Sequence, residues 1–312
     1  MRLIRGLNHW EPFANGCVLT IGNFDGLHLG HRQVIERLAQ HGRRLNLPVV
    51  AMIFEPQPLE HFLGDHAPSR LTRLREKAIQ FDTLPVDELV VLPFSRSLSD
   101  VDAEVFIQDI LVNKLNIKHL VIGDDFHFGK ARRGNFALLQ QRGERFGFKV
   151  EATPSFEVQG LRVSSTLIRD ALGEGDLAQA KLLLGRDYSV CGRVAQGDRL
   201  GRELGFPTAN IQMFRKNTPL AGVFAVTMTG LERGVLAGVA NLGTRPTIEG
   251  GAKAVLETHL FDFSDDIYGR YVEVHFHARL RDEQRFPSLE ALKAQITLDV
   301  SQARHYFSNC HD

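Results

Sequence analysis

The sequence has little of what defines several large protein classes. Its 312 residues include three cysteines and one tryptophan, and its 37 basic side chains are balanced by 37 acidic ones. Because the cysteines are odd in number, far apart and without a CxxC pair, they argue against a disulfide framework or a thiolate zinc site and are typical of a reducing compartment. No uncharged run reaches the roughly 18 residues of a membrane-spanning helix, so the sequence predicts none.

The charge balance also holds within each half of the chain. Residues 1–185 carry 22 basic and 22 acidic side chains, and residues 186–312 carry 15 of each. A broad basic surface for nucleic acid is therefore not expected. The N-terminal stretch MRLIRGLNHWEPF lacks the apolar core of a signal peptide. We expect a cytoplasmic protein that binds neither nucleic acid nor a membrane.

The first half alternates short apolar runs with amphipathic helical segments. Strands are predicted at 17–24, 47–54, 88–92 and 119–122, with helices at 31–40, 71–82, 102–115 and 136–146. Gly42 is the expected C-cap of the first helix. Continuous apolar strands between helices indicate a parallel sheet covered on both faces, which is an α/β fold.

The second half changes to the alternating pattern of strands after Gly185. Val272, Val274, Phe276 and Ala278 share one face of a predicted strand at 271–280, and several such strands with glycine turns indicate an antiparallel barrel. A helix over about 288–307 closes the chain. The length predicts two domains. We place them at residues 1–185, which include two short helices after residue 164, and 186–312.

The segment GNFDGLHLGH at residues 22–31 is the first candidate site. It leaves a predicted strand and enters a predicted helix, whose N-terminus suits phosphates. His28 and His31 can donate to phosphate oxygens there, and Gly30 allows a close approach. The alternative is a glycine turn with two surface histidines. HLGH lacks the HExxH spacing of a zinc site, and the chain has neither GxGxxG nor a Walker A motif.

A second polar segment, SSTLIR at residues 164–169, stands at another predicted helix start. Its hydroxyls can cap the helix, and Arg169 lies one turn later on the same end. An N-cap with a solvated arginine explains the segment equally well.

The second half carries a glycine-rich segment, GRVAQGDRLGRELGFPTANIQ, at residues 192–212. The backbone N–H groups of this segment can surround phosphates, and its arginines add positive charge. Its proline restricts the backbone where the chain leaves the loop. The residues with these roles are Gly197, Arg199, Gly201, Arg202, Gly205 and Pro207. Thr208 and Asn210 follow with neutral oxygens on one side of an extended segment. Two neutral oxygens suit Mg²⁺ that is bound mainly by water and ATP phosphates.

Three further polar residues lie on predicted strands. Glu257 alternates with apolar neighbours, so it is either a general base for a substrate hydroxyl or a strand glutamate that faces water. His275 and His277 share a face, which permits metal binding, although no carboxylate or cysteine is paired with them in the sequence.

Taken together, these motifs resemble the bacterial bifunctional riboflavin kinase/FAD synthetase family. GNFDGLHLGH, FEPQP, GDDFHFGKARRGN and VSSTLIR resemble its adenylyltransferase module, and GRELGFPTANI, GVANLGTRPT, ETHLFDF and LRDEQRFPSLEALKAQI resemble its kinase module. The resemblance implies a Rossmann-like N-terminal domain and a riboflavin-kinase-type barrel with a terminal helix. It also implies phosphorylation of riboflavin to FMN and adenylylation of FMN to FAD, with ATP and Mg²⁺ in both steps.

The resemblance also implies roles for individual residues. In the first half, His28 and His31 would contact ATP phosphates, within an ATP-binding motif that includes Gly22, Asn23, Phe24, Asp25 and Gly30. Ser165, Thr166 and Arg169 would assist at the pyrophosphate end, and the flavin side would contain Phe54, Pro56, Pro58, Asp125 and Phe126. In the second half, Thr208 and Asn210 would hold Mg–ATP, and Glu257 would be the base for the riboflavin 5′-hydroxyl. The flavin there would contact Arg279, Arg281 and Phe286.

Two other functions stay open at this point. The N-terminal module can transfer a nucleotide to a different phosphorylated acceptor. Its aromatic residues Phe54, Phe62, Phe126 and Phe128 favour a flat ring, but aromatic residues are also ordinary core. The chain can also be a flavin-binding regulator without turnover, which would not require His28, His31 or Glu257.

Overall fold

The structure is a computed structural model that describes residues 1–7, 10–123, 125–197, 200–215, 217–246 and 252–309. Contacts divide the chain into two compact units. The first contains Met1–Pro68 and Thr72–Ser164, and the second contains Ser69–Leu71 and Ser165–Asp312. The two short helices after residue 164 therefore have their contacts in the second unit. The predicted division of function at residue 186 stays a prediction.

The first unit is built on a parallel sheet. Its strands are β1 (Arg2–Arg5), β2 (Cys17–Ile21), β3 (Val49–Glu55), β4 (Glu88–Pro93), β5 (Ile117–Gly123) and β6 (Lys149–Thr153). They lie in the order β1–β4–β3–β2–β5–β6, and every neighbouring pair is parallel. This arrangement confirms the predicted α/β fold and adds β1 and β6 to the predicted strands.

Helices connect these strands and cover the sheet. They are α1 (Leu29–Leu45), α2 (Pro58–Leu63), α3 (Leu74–Phe81), α4 (Arg96–Ser99), α5 (Ala103–Val105) and α6 (Phe136–Phe146). A π-helical segment, Phe106–Lys114, continues α5, and tight turns occur at Gly64–His66 and Lys130–Arg132. A small hairpin joins β7 (Glu157–Val158) to β8 (Leu161–Arg162).

Alternate residues of the central strand enter two different cores. Leu19 of β2 packs in a cluster with Phe106 and Leu139, whereas Val18 packs in a cluster with Leu38 and Phe81. Both faces of the sheet are therefore buried, which explains why its strands read as continuous apolar runs.

The prediction that Gly42 caps the first helix is wrong. α1 continues to Leu45 and ends at Asn46, which has φ 54° and ψ 46°. Gly42 is buried inside the helix, and a Cβ there would lie 2.7 Å from Cγ2 of Val49 and 3.0 Å from the carbonyl oxygen of Leu47. The glycine is needed for this close approach of the chain after the helix.

The second unit combines helices with a barrel. Its helices are α7 (Ser165–Glu174), α8 (Leu177–Leu184), α9 (Leu200–Glu203) and α10 (Leu289–Asn309). Its strands are β9 (Tyr188–Ala195), β10 (Ala209–Gln212), β11 (Gly222–Leu231), β12 (Gly234–Pro246), β13 (Ala252–Leu260) and β14 (Tyr271–Arg281). They close into an antiparallel barrel in the order β10–β13–β12–β11–β14–β9. The predicted barrel with a terminal helix is confirmed.

Alternation along the strands separates two barrel faces. The interior is filled by large apolar side chains such as Phe224, Leu256 and Phe276. On the outer face, Val223 and Val239 belong to the cluster that contains Ala303 of α10. The terminal helix thus covers part of the outer face.

The prediction that Ala278 shares a face with Phe276 is wrong. Ala278 packs against the outer cluster, whereas Phe276 is in the interior. The cause is a register shift between Ala225 and Val226, which are the partners of Ala278 and Phe276 on β11.

No helix in the described part of the chain is long and apolar enough to span a bilayer.

Candidate active sites

The predicted residues of the first unit lie at one edge of its sheet. β3, β2 and β5 are neighbours, and because they are parallel their carboxyl ends meet at the same edge. Residues 22–28 follow β2, residues 56–58 follow β3 and residues 125–126 follow β5. From β2 the chain continues to β3, which lies on one side of β2, whereas the later strand β5 lies on the other side of β2. Parallel α/β sheets bind ligands at such a switch point.

His28 and His31 are brought face to face at the start of α1. His28 is the N-cap residue, and its Nδ1 accepts a hydrogen bond of 3.3 Å from the backbone N–H of His31. The two rings are stacked, with centroids 3.6 Å apart and planes at 15°. Because a neutral imidazole that accepts at Nδ1 carries its proton at Nε2, the donor atom of the His28 ring is Nε2. The helix N-terminus adds backbone N–H groups and partial positive charge.

Buried polar contacts hold the loop between β2 and α1. Asp25 Oδ1 accepts hydrogen bonds from the backbone N–H and the hydroxyl of Thr72, at 3.0 and 3.2 Å. Lys77, which is fully buried on α3, donates from Nζ to the carbonyl oxygen of Asn23 at 2.8 Å. Sequence reasoning missed Thr72 and Lys77. The position of Lys77 in the sequence could have identified it, because it lies four residues before Phe81 and therefore on the apolar side of the helix.

Aromatic side chains line the same edge of the sheet. Phe54 and the exposed Phe62 both contact the ring of Phe94 edge-on, with centroids 5.7 and 5.8 Å away. Phe126 is stacked on Phe128 at 5.6 Å. Of the four aromatic residues expected to favour a flat ring, Phe54 and Phe128 are thus buried in the core, whereas Phe62 is exposed on α2. Sequence reasoning missed Phe94.

The remaining predicted flavin residues of this unit differ in their environment. The Glu55–Pro56 peptide is cis, and Pro58 begins α2. Asp125 is exposed and lies 3.6 Å from Nη2 of Arg162. Their predicted contacts with flavin stay predictions.

The predicted pyrophosphate residues belong to the second unit. Ser165 and Thr166 begin α7, which confirms the predicted helix start. Arg169 donates from Nε to the carbonyl oxygen of Ser69 at 2.6 Å, within the same unit. Their role with ATP stays a prediction.

The barrel places Asn210 and Glu257, two of the predicted kinase residues, in one row across its outer face. Asn210 of β10 and Asn241 of β12 are both register partners of Glu257 on β13. Asn241 is in turn opposite Val223 of β11, and Val223 is opposite Arg281 of β14. Directly opposed residues share a face and neighbouring strands lie about 4.8 Å apart. The row therefore brings Asn210 and Glu257 side by side, with Asn241 immediately beyond the carboxylate.

The glycine segment lies against this row. A Cβ on Gly197 would overlap the side-chain amide of Asn210, and a Cβ on Gly201 would lie 3.2 Å from the hydroxyl oxygen of Thr208. Gly205 has φ +90°, and the carbonyl oxygen of Pro207 lies 2.9 Å from Nδ1 of His259. The chain thus folds closely over the two neutral oxygens predicted for Mg²⁺. Of the two predicted arginines, Arg202 is exposed on α9 and Arg199 lies outside the described residues.

The predicted flavin residues of the barrel are engaged within the second unit. Arg281 forms a bidentate ion pair with the buried Asp299 of α10, at 2.7 to 3.1 Å, and its guanidinium lies 5.6 Å from the ring of Phe286. Arg279 pairs with Asp282 and donates to the carbonyl oxygen of Glu174 at 3.2 Å. These contacts position the end of β14, and flavin binding by these residues stays a prediction.

His275 and His277 each lie near a carboxylate and near a threonine hydroxyl of the neighbouring strand. His275 Nε2 is 4.0 Å from Glu273 Oε2 and His277 Nδ1 is 3.6 Å from Asp187 Oδ2, so the expectation that no carboxylate is paired with them is wrong. His275 Nε2 lies 3.2 Å from the Thr229 hydroxyl oxygen, and His277 Nε2 lies 2.8 Å from that of Thr227. Burial lowers the pKa of His277. Within the described ranges, the two histidines do not belong to a cluster of three ligand side chains close enough to hold a metal.

The cluster that does meet this criterion lies at the opposite edge of the first sheet. His41 Nε2 is 2.7 Å and His119 Nε2 is 3.6 Å from Glu151 Oε2, and the two rings are stacked at 3.8 Å. Arg44 donates to His41 Nδ1 at 3.0 Å, so the proton of that ring is at Nε2, towards the carboxylate. Parallel rings do not converge on one ion, and the arginine and the proton oppose a cation. The cluster instead joins α1, β5 and β6.

Comparison with known proteins assigns the chain to a family. The FAD synthetase family model matches residues 11–167, and the riboflavin kinase model matches residues 184–307. A bifunctional riboflavin kinase/FMN adenylyltransferase of Haemophilus influenzae is 49% identical over 99% of this chain and 100% of its own length. The chain belongs to this bifunctional family. Its Escherichia coli K12 member is 49% identical over 98% of both chains, and its Pseudomonas fluorescens member is 47% identical over 97% of both.

One solved structure extends the likeness to the fold of nearly the whole chain. It is that of a protein named as a macrolide-efflux protein from Streptococcus pneumoniae, with a TM-score of 0.82 and 29% identity. The match covers 96% of this chain and 97% of that one.

Proposed function

We propose that the chain makes FAD from riboflavin in two steps that both consume ATP. The second unit phosphorylates riboflavin to FMN, and the first adenylylates FMN to FAD with release of pyrophosphate. The observation that carries the proposal is the row on the barrel, in which a carboxylate stands directly beside a predicted Mg–ATP residue. Pure flavin binding requires neither this pair nor a histidine pair at a helix N-terminus.

In the kinase step, Glu257 accepts the proton of the riboflavin 5′-hydroxyl as that oxygen attacks the γ-phosphorus of ATP. Thr208 and Asn210 fit Mg²⁺ that travels with ATP, because their neutral oxygens follow a glycine segment in which a Cβ at Gly197 would fill the space of the Asn210 amide. The ion, when bound, would neutralise charge on the phosphate oxygens. ADP leaves, and the proton on Glu257 passes to solvent.

In the adenylyl step, a phosphate oxygen of FMN attacks the α-phosphorus of ATP and pyrophosphate leaves. His28 donates from Nε2 to a phosphate oxygen, and His31 contributes from the ring stacked on it. Neither residue forms a covalent bond to the nucleotide. Their contribution is to position ATP and stabilise charge that develops in the transition state.

A product assay tests both steps at once. The chain is incubated with riboflavin, ATP and Mg²⁺, and riboflavin, FMN and FAD are separated. We expect FMN and then FAD. Absence of both products from folded protein would refute the enzymatic function. If FMN forms but FAD does not, even when FMN is supplied, the first unit would use another acceptor.

Replacement of the proposed base separates the two steps. We expect Glu257→Gln to lower FMN formation by about 10²- to 10⁴-fold, the usual effect of a general base, while supplied FMN still becomes FAD. Glu232→Gln is the matched control, because that carboxylate is exposed and pairs with Arg270. Near-normal FMN formation by Glu257→Gln would show that the reaction proceeds without this base.

A further inference from the structure

The outer-face row of the barrel contains one polar residue for which the motifs give no role. Asn241 lies between Glu257 and Val223, and Arg281 follows on the next strand. The row thus runs from the ATP side at Asn210, through the base, to the side where flavin contacts are predicted. Val223 is buried in the cluster that contains Ala303 of α10, so Asn241 is the last polar residue of the row before the part of the outer face that the helix covers.

The side chain of Asn241 has an unusual environment. Its Oδ1 is buried and has no hydrogen-bond partner among the described residues. A buried polar atom without a partner costs about 1–3 kcal/mol, so such atoms are rare unless they bind something else. This oxygen is a neutral acceptor, which repels a phosphate oxygen and pairs with a hydroxyl donor.

The position of Asn241 also separates it from the nucleotide. It is two strands from Asn210, which is about 10 Å at the usual strand spacing, with the Glu257 carboxylate between them. The group nearest to it in the reaction is therefore the alcohol substrate. Riboflavin presents a polyol chain whose last hydroxyl reacts, so its other hydroxyls have to be held close to the base.

We propose that Asn241 binds the polyol chain of riboflavin by accepting a hydrogen bond at Oδ1 from a hydroxyl that precedes the reacting one. This inference rests on the proposed kinase function and adds a residue that selects a hydroxylated side chain on the flavin. The contact exists before and during phosphoryl transfer, so its loss raises the KM for riboflavin more than it lowers kcat.

The test compares Asn241→Ala and Asn241→Leu with the unaltered chain in the riboflavin-to-FMN assay. Both variants should raise the KM for riboflavin by about 10- to 100-fold, the usual effect of leaving a buried hydroxyl without its hydrogen-bond partner. The KM for ATP and the conversion of supplied FMN to FAD should stay within about twofold. Because leucine fills the volume of asparagine, agreement between the variants excludes a simple cavity effect.

A flavin without the polyol chain supplies the decisive readout. Lumiflavin carries a methyl group in place of that chain, and its inhibition constant against riboflavin in the kinase reaction should be the same in both variants and the unaltered chain. An unchanged constant also shows that the variant barrel is folded. Gln212→Ala, which removes an exposed amide two residues along β10 from Asn210, should leave every constant unchanged.

Three results would overturn the inference. A normal riboflavin KM in both variants would show that Asn241 does not bind the substrate. Equal loss of riboflavin and lumiflavin binding would indicate general damage to the flavin site, and a raised KM for ATP alone would place the residue at the nucleotide. If the unaltered chain makes no FMN, the proposed function itself fails, and the inference fails with it.

Discussion

Two stacked histidine pairs lie at opposite edges of the same sheet. His28 and His31 have ring centroids 3.6 Å apart at the carboxyl edge, and His41 and His119 have centroids 3.8 Å apart at the amino edge. The first pair begins a helix, where backbone N–H groups and the helix dipole favour a phosphate. The second pair faces Glu151 beside arginines. The two pairs therefore have similar ring geometry but different roles. The charges around each pair determine whether it can bind a phosphate or joins elements of the fold.

The carboxylate explains why the amino-edge pair is structural. Burial alone would raise the pKa of Glu151, but hydrogen bonds from Arg37 and His41 hold it below its usual value. The carboxylate thus accepts from two side chains of α1 while it belongs to β6. His119 is held neutral beside it, because burial and the neighbouring His41 lower its pKa to about 4.

Within the comparison of the two edges, the largest expected effect is that of removing a ring at the carboxyl edge. We expect His31→Ala to slow FAD formation from FMN by about 10²-fold or more, the effect of removing one donor to the transition state. FMN formation from riboflavin should be unchanged, because it takes place in the other unit. Initial rates with each flavin, measured on the same preparation, check both statements.

The amino-edge pair provides the control for this substitution. His119→Phe keeps a ring against His41 and should leave both rates at neutral pH within about twofold. If it slowed FAD formation as much as His31→Ala, the contrast between the two edges would be wrong.

A smaller effect is expected when the His28 ring is only displaced. A Cβ on Gly30 would lie 3.3 Å from ring atoms of His28, so Gly30→Ala requires that ring to move by a few tenths of an ångström. We expect FAD formation to fall by about 3- to 10-fold, since catalytic rates are sensitive to small errors of position. The measurement is kcat/KM for ATP with FMN as acceptor.

Gly173→Ala is the matched control for this change. Gly173 lies within α7, and a Cβ there would have its nearest neighbour at 3.9 Å, which is ordinary contact. Both alanines suit a helix at least as well as glycine. An equal loss of activity in the two variants would mean that the His28 ring position is not the cause.

The contrast also shows what could be predicted from the sequence. The carboxyl-edge pair lies within the contiguous motif at residues 22–31, so the local spacing of its histidines was sufficient to predict the pair. The amino-edge pair was missed because His41 and His119 are distant in sequence and meet only when α1 packs on β5. The register of Glu257 with Asn210 could not be predicted either, because it depends on how the barrel closes.

The fold was predictable where periodicity is strong and local. The parallel strands and most helices follow from apolar runs and amphipathic stripes, whereas β1 and β6 do not. Gly42 was assigned to a helix end because glycine is common there. Its actual reason is the approach of Val49, a tertiary contact that no local pattern records.

The smallest expected effect concerns stability. His119 has a pKa of about 4 in the folded chain and about 6.5 when unfolded, so the unfolded state binds more protons between these values. Stability therefore falls as the pH is lowered from about 6.5 to about 4. His119→Phe removes this group, so acidification from pH 7.5 to 5.0 should lower the free energy of unfolding less in the variant than in the unaltered chain. The expected difference between the two proteins is about 1–2 kcal/mol.

Trp10 makes this difference measurable in the first unit alone. It is the chain's one tryptophan and is buried in that unit, so its fluorescence during urea unfolding reports on the sheet that contains His119. His66→Phe is the control, because that histidine is exposed in the same unit and its loss should not alter the pH dependence. If all three proteins lost equal stability on acidification, His119 would not be the buried neutral group that the amino edge requires, and the two histidine pairs would differ in position only.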